Sequence, residues 1–375
     1  MNHPEAATSA VAAGAAGRIA GWLRDGPAQL ATGPQRGGVA GVVGADGVAE
    51  YAYAEITGYY LQWLAWHAAR DGVSAALATR ADAAQQWLAR WLAAAPLPGT
   101  RVHLDPGVGD WRNDAVFFFD VAMVLRGLAS AARQGLVAPS AAVIDGVNGL
   151  LASLRAQDGL FDACIVKPGA SPVPDRWSTR RGAFLAKAAA GVIDAAKVLP
   201  GVAATATQAA EDTLAASLRW FDEQPHREVH PLLYAAEGFL SLPRHPLLPS
   251  ALPVVARAFN DVLVETRVQG RVPEFLRAGA ADAGAARVDI VAQALRVGVL
   301  VAAQVPREAP DRAGIDLLRG MLVEQVSAQG TLPFAVGAAP RRHNVWAAMF
   351  AEQALAFADE GDLAQRAGRD APLLV

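Results

Sequence analysis

The chain has 375 residues, 53% of them hydrophobic and 18% charged, with a formal net charge of −3. That supply of apolar side chains allows a large core, and the near-neutral charge gives no electrostatic footprint for nucleic acid. No apolar run approaches the roughly 20 residues of a membrane helix, and the lone Cys164 leaves no intrachain disulfide and makes a poor metal site.

Ala and Leu dominate, and apolar residues recur at helical spacing. In chain order the pattern predicts helices over 9–24, 53–69, 81–95, 114–133, 140–156, 179–198, 203–222, 230–240, 250–266, 287–303, 311–327 and 343–357. Every second one, from 53–69 onward, begins among polar residues; the others are blander and amphipathic. A Gly turn followed by an apolar and then an acidic or aromatic residue recurs at Gly47, Gly159, Gly270 and Gly330. Their separations of 112, 111 and 60 residues approximate multiples of one unit length, as in an array of supersecondary units. Six α-hairpins closed into a ring bury the first and last units against each other, which would otherwise need caps. The expected fold is therefore all-α, a single-domain (α/α)6 toroid over residues 1–375. An N-terminal helix and a Gly-rich rim loop fill 1–50, and an open helical solenoid is the alternative. The N-terminal segment lacks the basic start and apolar core of a signal peptide, so a cytoplasmic location is the default expectation.

Long Pro/Gly-rich loops at 97–111 and 165–178, with a shorter one at 225–231, fall where functional loops are often found. The stretch 33–47 lacks a Gly-Lys-Ser/Thr ending, so it reads as a rim loop or lid rather than a phosphate cradle.

In a toroid the inner helices present polar groups at one end, toward a central cleft. Glu55, Tyr59 and Trp63 are spaced four apart on one helix face. An acid beside aromatic platforms suits a sugar subsite, although the same stripe also suits a core. The segment around residues 103–114 supplies Asp110 and Asp114 as candidate acid or base groups, Trp111 for stacking and Arg112 for an anion. Asp114 also suits the N-cap of the next helix. Trp177, Arg180 and Arg181 form a third station. Adjacent arginines near a helix start oppose the helix dipole, and binding of an anionic group would explain them. His230, Tyr234 and Glu237 share a face and suit proton abstraction, or a hydrogen-bond network between helices. Glu274, Asp289, Gln293 and Arg296 make a fifth station, and His343, Asn344 and Trp346 a sixth. His226 and His230 have a zinc-compatible spacing, but Pro231 draws His230 out of helical geometry. No metal or cofactor is expected, and no Gly-x-Ser-x-Gly elbow points to serine hydrolysis.

Glu55-Ile56-Thr57-Gly58-Tyr59, His230 through Gly238, Ala292 through Arg296 and Asn344 through Leu355 resemble bacterial α/α-toroid proteins of polysaccharide biosynthesis and processing. That group borders the N-acylglucosamine 2-epimerases, glucuronyl C5-epimerases and toroid glycosidases and lyases. The resemblance implies a carbohydrate in a central cleft and, in the epimerases, a pair of histidines, partly matched by His230 and His343. Hydrolysis by Glu55 with Asp110 or Asp114 is the first functional expectation, on a glycan expected to be anionic. Two alternatives remain: epimerisation or elimination by His230, Tyr234 or His343, and a non-catalytic glycan-binding component among polysaccharide-assembly partners. An Asp-rich terpene-cyclase motif is absent.

Overall fold

The computed structural model describes residues 4–223, 228–276, 287–305, 307, 309–336, 342–359 and 374–375, with side chains in the first helix placed from residue 11 on. His226 lies outside the described residues. Along the chain run α1 (Pro4–Asp25), β1 (Val42–Gly44), β2 (Tyr51–Tyr53), α2 (Ala54–Asp71), α3 (Ala75–Ala94) and β3 (Arg101–His103). A 3-10 turn at Trp111–Asp114 leads into β4 (Ala115–Phe117), α4 (Phe118–Arg133), α5 (Ala141–Leu154) and β5 (Cys164–Val166). A second 3-10 turn, Trp177–Thr179, precedes α6 (Leu185–Ala196), α7 (Ala204–Glu223), α8 (Val229–Leu240) and α9 (Leu248–Gln269). The chain continues through α10 (Val288–Gln304), α11 (Arg312–Val323), β6 (Arg342–Asn344) and α12 (Val345–Asp359). Each predicted helix has a counterpart among these twelve.

Two boundaries move, with consequences for chemistry. The helix expected from 114 starts at Phe118, and the one expected from 179 starts at Leu185. The six short strands were not foreseen: three residues are too few for an alternating pattern to register. His230 also departs from expectation, because it lies inside the first turn of α8 despite Pro231. Proline is tolerated there, since the N–H it lacks would have no intrahelical acceptor.

The described residues form two compact units, considered separately below. One takes in the stretches Met1–Ala28, Val42–Val48 and Phe221–Ala371; the other takes in Gln29–Gly41, Ala49–Trp220 and Pro372–Val375. In the second unit α4 packs against both α2 and α6, while α3 and α5 lie outside them. Helix α2 is buried continuously from Ala54 to Ala68 and α4 from Phe118 to Ala131, whereas α3 buries the single stripe Leu77, Ala81, Ala84, Trp87, Leu88 and Trp91. A helix apolar all round needs neighbours on every side; one with a stripe needs only one. In the first unit α8, α10 and α12 are buried along almost their whole length, and α1, α9 and α11 pack against them.

The strands act as staples at helix starts. Antiparallel pairing of β2 with β3 sets Tyr53 opposite Arg101 and Tyr51 opposite His103, and β2 runs directly into α2. The β4–β5 pair does the same before α4, and the β1–β6 pair before α12. The four recurring turn glycines all adopt left-handed backbone, with φ from +67° to +85°. That conformation is open to Gly at little cost, so the repeated Gly has a conformational cause.

Candidate active site

In the second unit the polar residues converge on the first turns of α2 and α4. Helices α2 and α4 touch backbone to backbone at Gly58 and Gly127: a Cβ on Gly127 would overlap the Gly58 carbonyl, and one on Gly58 would lie 2.5 Å from the Met123 carbonyl oxygen. This approach, together with the β2 and β4 staples, brings Glu55 and Asp120 together, and their carboxyls share a hydrogen bond. Both are nearly covered, at 8% and 7% exposure. The Thr100 hydroxyl donates to Asp120 Oδ2, and the Thr100 carbonyl holds the Ala54 N–H at 3.0 Å. Burial pushes both carboxyls above the ordinary range. Repulsion from Asp120 pushes Glu55 further, while Thr100 and Arg101 favour the charged form of Asp120. The helix N-terminus would favour charge by about 0.3–1 kcal/mol. Burial can move a carboxyl by several pKa units, each worth about 1.4 kcal/mol, so burial wins. Both carboxyls are thus held toward their neutral forms, Glu55 more strongly than Asp120.

A cationic, aromatic wall flanks this pair. The Arg101 guanidinium lies 4.8 Å from the ring centroids of both Tyr51 and Tyr53 and is hydrogen-bonded to the Tyr53 side chain, which in turn is hydrogen-bonded to Glu55. Asp110 accepts from Arg101 Nη1 at 3.2 Å and from the Arg112 N–H at 3.0 Å, and lies 3.4 Å from His103 Nε2. Partial burial opposes its charge, but the Arg112 amide, Arg101 and Arg112 hold it below the usual carboxylate range. Asp110 is thus an anion committed to its neighbours, capping the 3-10 turn that carries Trp111, Arg112 and Asp114. Arg112 stacks over Trp111 at 4.6 Å.

Tyr59 and Trp63, on the same face as Glu55, are wholly buried; Trp63 stacks on Tyr60 at 5.2 Å. Arg181 is engaged by Asp158, at 2.5 Å, and Asp162, at 2.9 Å, and Arg180 pairs with Asp175. Both precede α6 rather than starting it, so the dipole conflict that singled them out does not arise. Trp177 packs edge-on against Phe184.

The first unit holds a second network. His230 Nδ1 lies 2.6 Å from Gln293 Oε1, while Gln293 Nε2 donates to Glu237 Oε2 at 3.3 Å. An ionised carboxylate only accepts, so Glu237 fixes the orientation of the Gln293 amide. The amide then fixes the histidine tautomer: Nδ1 carries the hydrogen and Nε2 is the basic nitrogen. Burial, then the Arg287 charge, pushes His230 down to about 3, so the ring is neutral. The Tyr234 ring lies 4.4 Å away. Arg296 and Gln353 complete the network, Arg296 donating from Nε to Glu237 at 2.9 Å and from Nη1 to Gln353 at 2.9 Å.

Asp289 accepts from Arg287 at 3.1 and 2.5 Å and from Trp346 Nε1 at 3.0 Å. Burial opposes its charge, but Arg287 leads the groups that hold it ionised. Glu274 adds its charge near Arg287. Asn344 caps α12 by accepting from the Ala347 N–H at 2.9 Å. His343, in β6, meets the edge of Trp22 at 6.2 Å, and burial lowers its pKa.

The structure therefore assembles Glu55, Asp110 and Arg112 in one cluster and His230, Tyr234, Glu237, Asp289, Gln293, Arg296 and Trp346 in another. Asp120, Arg101, Tyr53, Thr100 and Lys187 were not anticipated. A readable signal existed for Asp120 and Lys187: each is a charged residue inside an otherwise apolar helical run, which is costly without a partner.

No protein-family model and no curated protein sequence matches this chain. Among solved structures it resembles a cellobiose 2-epimerase from Spirochaeta thermophila DSM 6192, with a TM-score of 0.65 and 13% identity over 94% of this chain and 96% of the other. It also resembles a D-mannose isomerase (TM-score 0.69, 12% identity, 96% and 99% covered). A third is an unsaturated glucuronyl hydrolase specific for heparin (0.61, 12%, 94% and 95%). At these identities the likeness establishes the fold, an all-α toroid. No helix among the described residues is long and apolar enough to cross a membrane.

Proposed function

We propose that this protein is a carbohydrate-active enzyme whose acid–base group is the Glu55–Asp120 pair. The observation that carries the reading is the placement of two buried carboxyls at the starts of α2 and α4, Asp120 accepting from the Thr100 hydroxyl, beside Arg101 and the rings of Tyr51 and Tyr53. The reading gives this pair one shared proton, held on Glu55. The three neighbours named above act on sugars, which supports the substrate class.

Hydrogen-bonded carboxyls stand closer together than the about 5–5.5 Å of retaining glycosidases or the 6.5–9.5 Å of inverting ones. Hydrolysis here follows the logic of a dyad that shares one proton. Glu55 gives its proton to the leaving oxygen as the bond from the anomeric carbon breaks. Asp120 takes a proton from the water whose oxygen forms the new bond. The proton then passes back along the Glu55–Asp120 hydrogen bond, restoring the starting state.

The test uses purified protein with an unsaturated glucuronyl disaccharide, cellobiose and D-mannose, scored for new reducing ends and for exchange at C2 in D2O. Glu55→Gln and Asp120→Asn should each lower hydrolytic turnover about 10²–10⁴-fold, the usual contribution of a general acid or base. Turnover that survives both substitutions would remove the pair from catalysis. One observation favours a second reading, sugar epimerisation: His230 is held neutral with Nε2 as its basic nitrogen. C2 exchange that vanishes in His230→Asn and persists in Glu55→Gln would select it.

A further inference from the structure

Lys187 is a third charged group beside the carboxyl pair that the proposed chemistry does not use. It stands in the first turn of α6, a helix buried from Leu185 to Ala195, and its side chain has no exposed surface. A buried ammonium is costly unless an oxygen acceptor or an anion meets it. Here Nζ lies 4.8 Å from the centroid of the Tyr59 ring and donates to the main-chain oxygen of Val375 at 3.1 Å. Leu374 and Val375 are both fully buried. The Lys187 charge also reaches Glu55, where it favours the carboxylate. Tyr59 stands one turn beyond Glu55 on the same helix, so the cation and the aromatic face lie next to the acid pair, and the main-chain oxygen of Val375 rests on the cation.

We propose that Lys187 and Tyr59 form the subsite for the carboxylate of an acidic sugar, and that Leu374–Val375 occupies it as an internal competitor. The subsite deepens the acid–base reading, because it would position a uronic acid ring beside Glu55 and Asp120. The chemistry favours a carboxylate over a neutral hydroxyl, since a charge-assisted hydrogen bond is roughly twice as strong as a neutral one. The Tyr59 face lies against the same ammonium, as in cation–π recognition. An occupant of the subsite lowers the apparent affinity for a ligand by the fraction of molecules in which the subsite is open.

The experiment measures equilibrium binding of D-glucuronate and D-glucose by calorimetry. The proteins are the full chain, a Leu374→Gly variant and a chain lacking residues 374–375, each also carrying Glu55→Gln. Both changes at the competitor should tighten glucuronate binding about tenfold or more, by opening the masked fraction, and leave glucose unchanged. Adding Lys187→Met should cancel the gain. The tetrapeptide Pro-Leu-Leu-Val, added to the shortened chain, should compete with glucuronate, which tests the occupant even if Lys187→Met fails to fold. Unaltered glucuronate affinity, an equal gain for glucose, a gain that survives Lys187→Met, or a peptide that does not compete would overturn the proposal. Binding is read without turnover, so failure of the hydrolytic reading appears separately, in the Glu55 and Asp120 kinetics.

Discussion

At the scale of single residues, Glu55 and Asp120 illustrate how environment sets chemistry. Each occupies the first turn of a helix, where the dipole favours an anion. Each is nevertheless pushed toward its neutral form by burial, the larger effect. What separates the two is their neighbours' charge and hydrogen bonding: repulsion from Asp120 adds to the burial of Glu55, while the Thr100 hydroxyl and then Arg101 favour ionised Asp120. Thr100→Val keeps the shape and removes the donor, so it should raise the Asp120 pKa. A hydrogen bond to a charged group contributes about 1.5–3 kcal/mol, or about one to two pKa units. Infrared titration of the carboxyl stretch, with Asp120→Asn to assign the band, would show the rise; an unmoved band would mean that Thr100 does not set the proton's position. Glu55 was legible in the sequence because a carboxylate on an aromatic helix face stands out. Asp120 was hidden by a boundary error. With the helix read from 114, Asp114 also suited its N-cap, and Asp120 fell in the helix interior instead of the first turn.

At the scale of elements, the inner helices and their outer partners were legible because each spans enough turns for the 3.6-residue period to emerge. The staples were not, and they determine where the chemistry sits. Tyr53 faces Arg101 only because β2 pairs with β3 in that register. The contact of α2 with α4 was equally hidden, since Gly58 and Gly127 carry no side-chain pattern to read. Their role is a close backbone approach that any Cβ would block. Gly127→Ala should therefore destabilise the protein by about 1–3 kcal/mol, as overpacking does, even though alanine is the better helix former. Urea denaturation checks this. A neutral or stabilising result would show that α2 and α4 can part without cost, and that the carboxyl pair does not depend on this contact.

At the scale of the molecule, the (α/α)6 expectation agrees with a likeness to sugar-enzyme toroids that persists at 12–13% identity. Helix periodicity and hairpin count survive such divergence because many sequences satisfy them, whereas the polar stations depend on individual residues. Both units bury groups in their neutral forms, and this makes stability depend on pH from two directions. Glu55 has a raised pKa in the folded state. Its contribution is present below the unfolded value of about 4.3 and is lost as pH rises through the folded one. His230 is lowered to about 3, so the unfolded chain binds its proton first, below about 6.5, and stability falls as pH drops from there. Each group alone imposes a slope of up to about 1.4 kcal/mol per pH unit within its window. Glu55→Gln should accordingly gain stability relative to the parent at pH 9 compared with pH 4.5. His230→Asn should show the opposite trend, gaining at pH 4.5 relative to pH 7. Urea midpoints at the three pH values would reveal two slopes of opposite sign, and parallel curves for parent and variants would mean that neither group is held neutral by the fold.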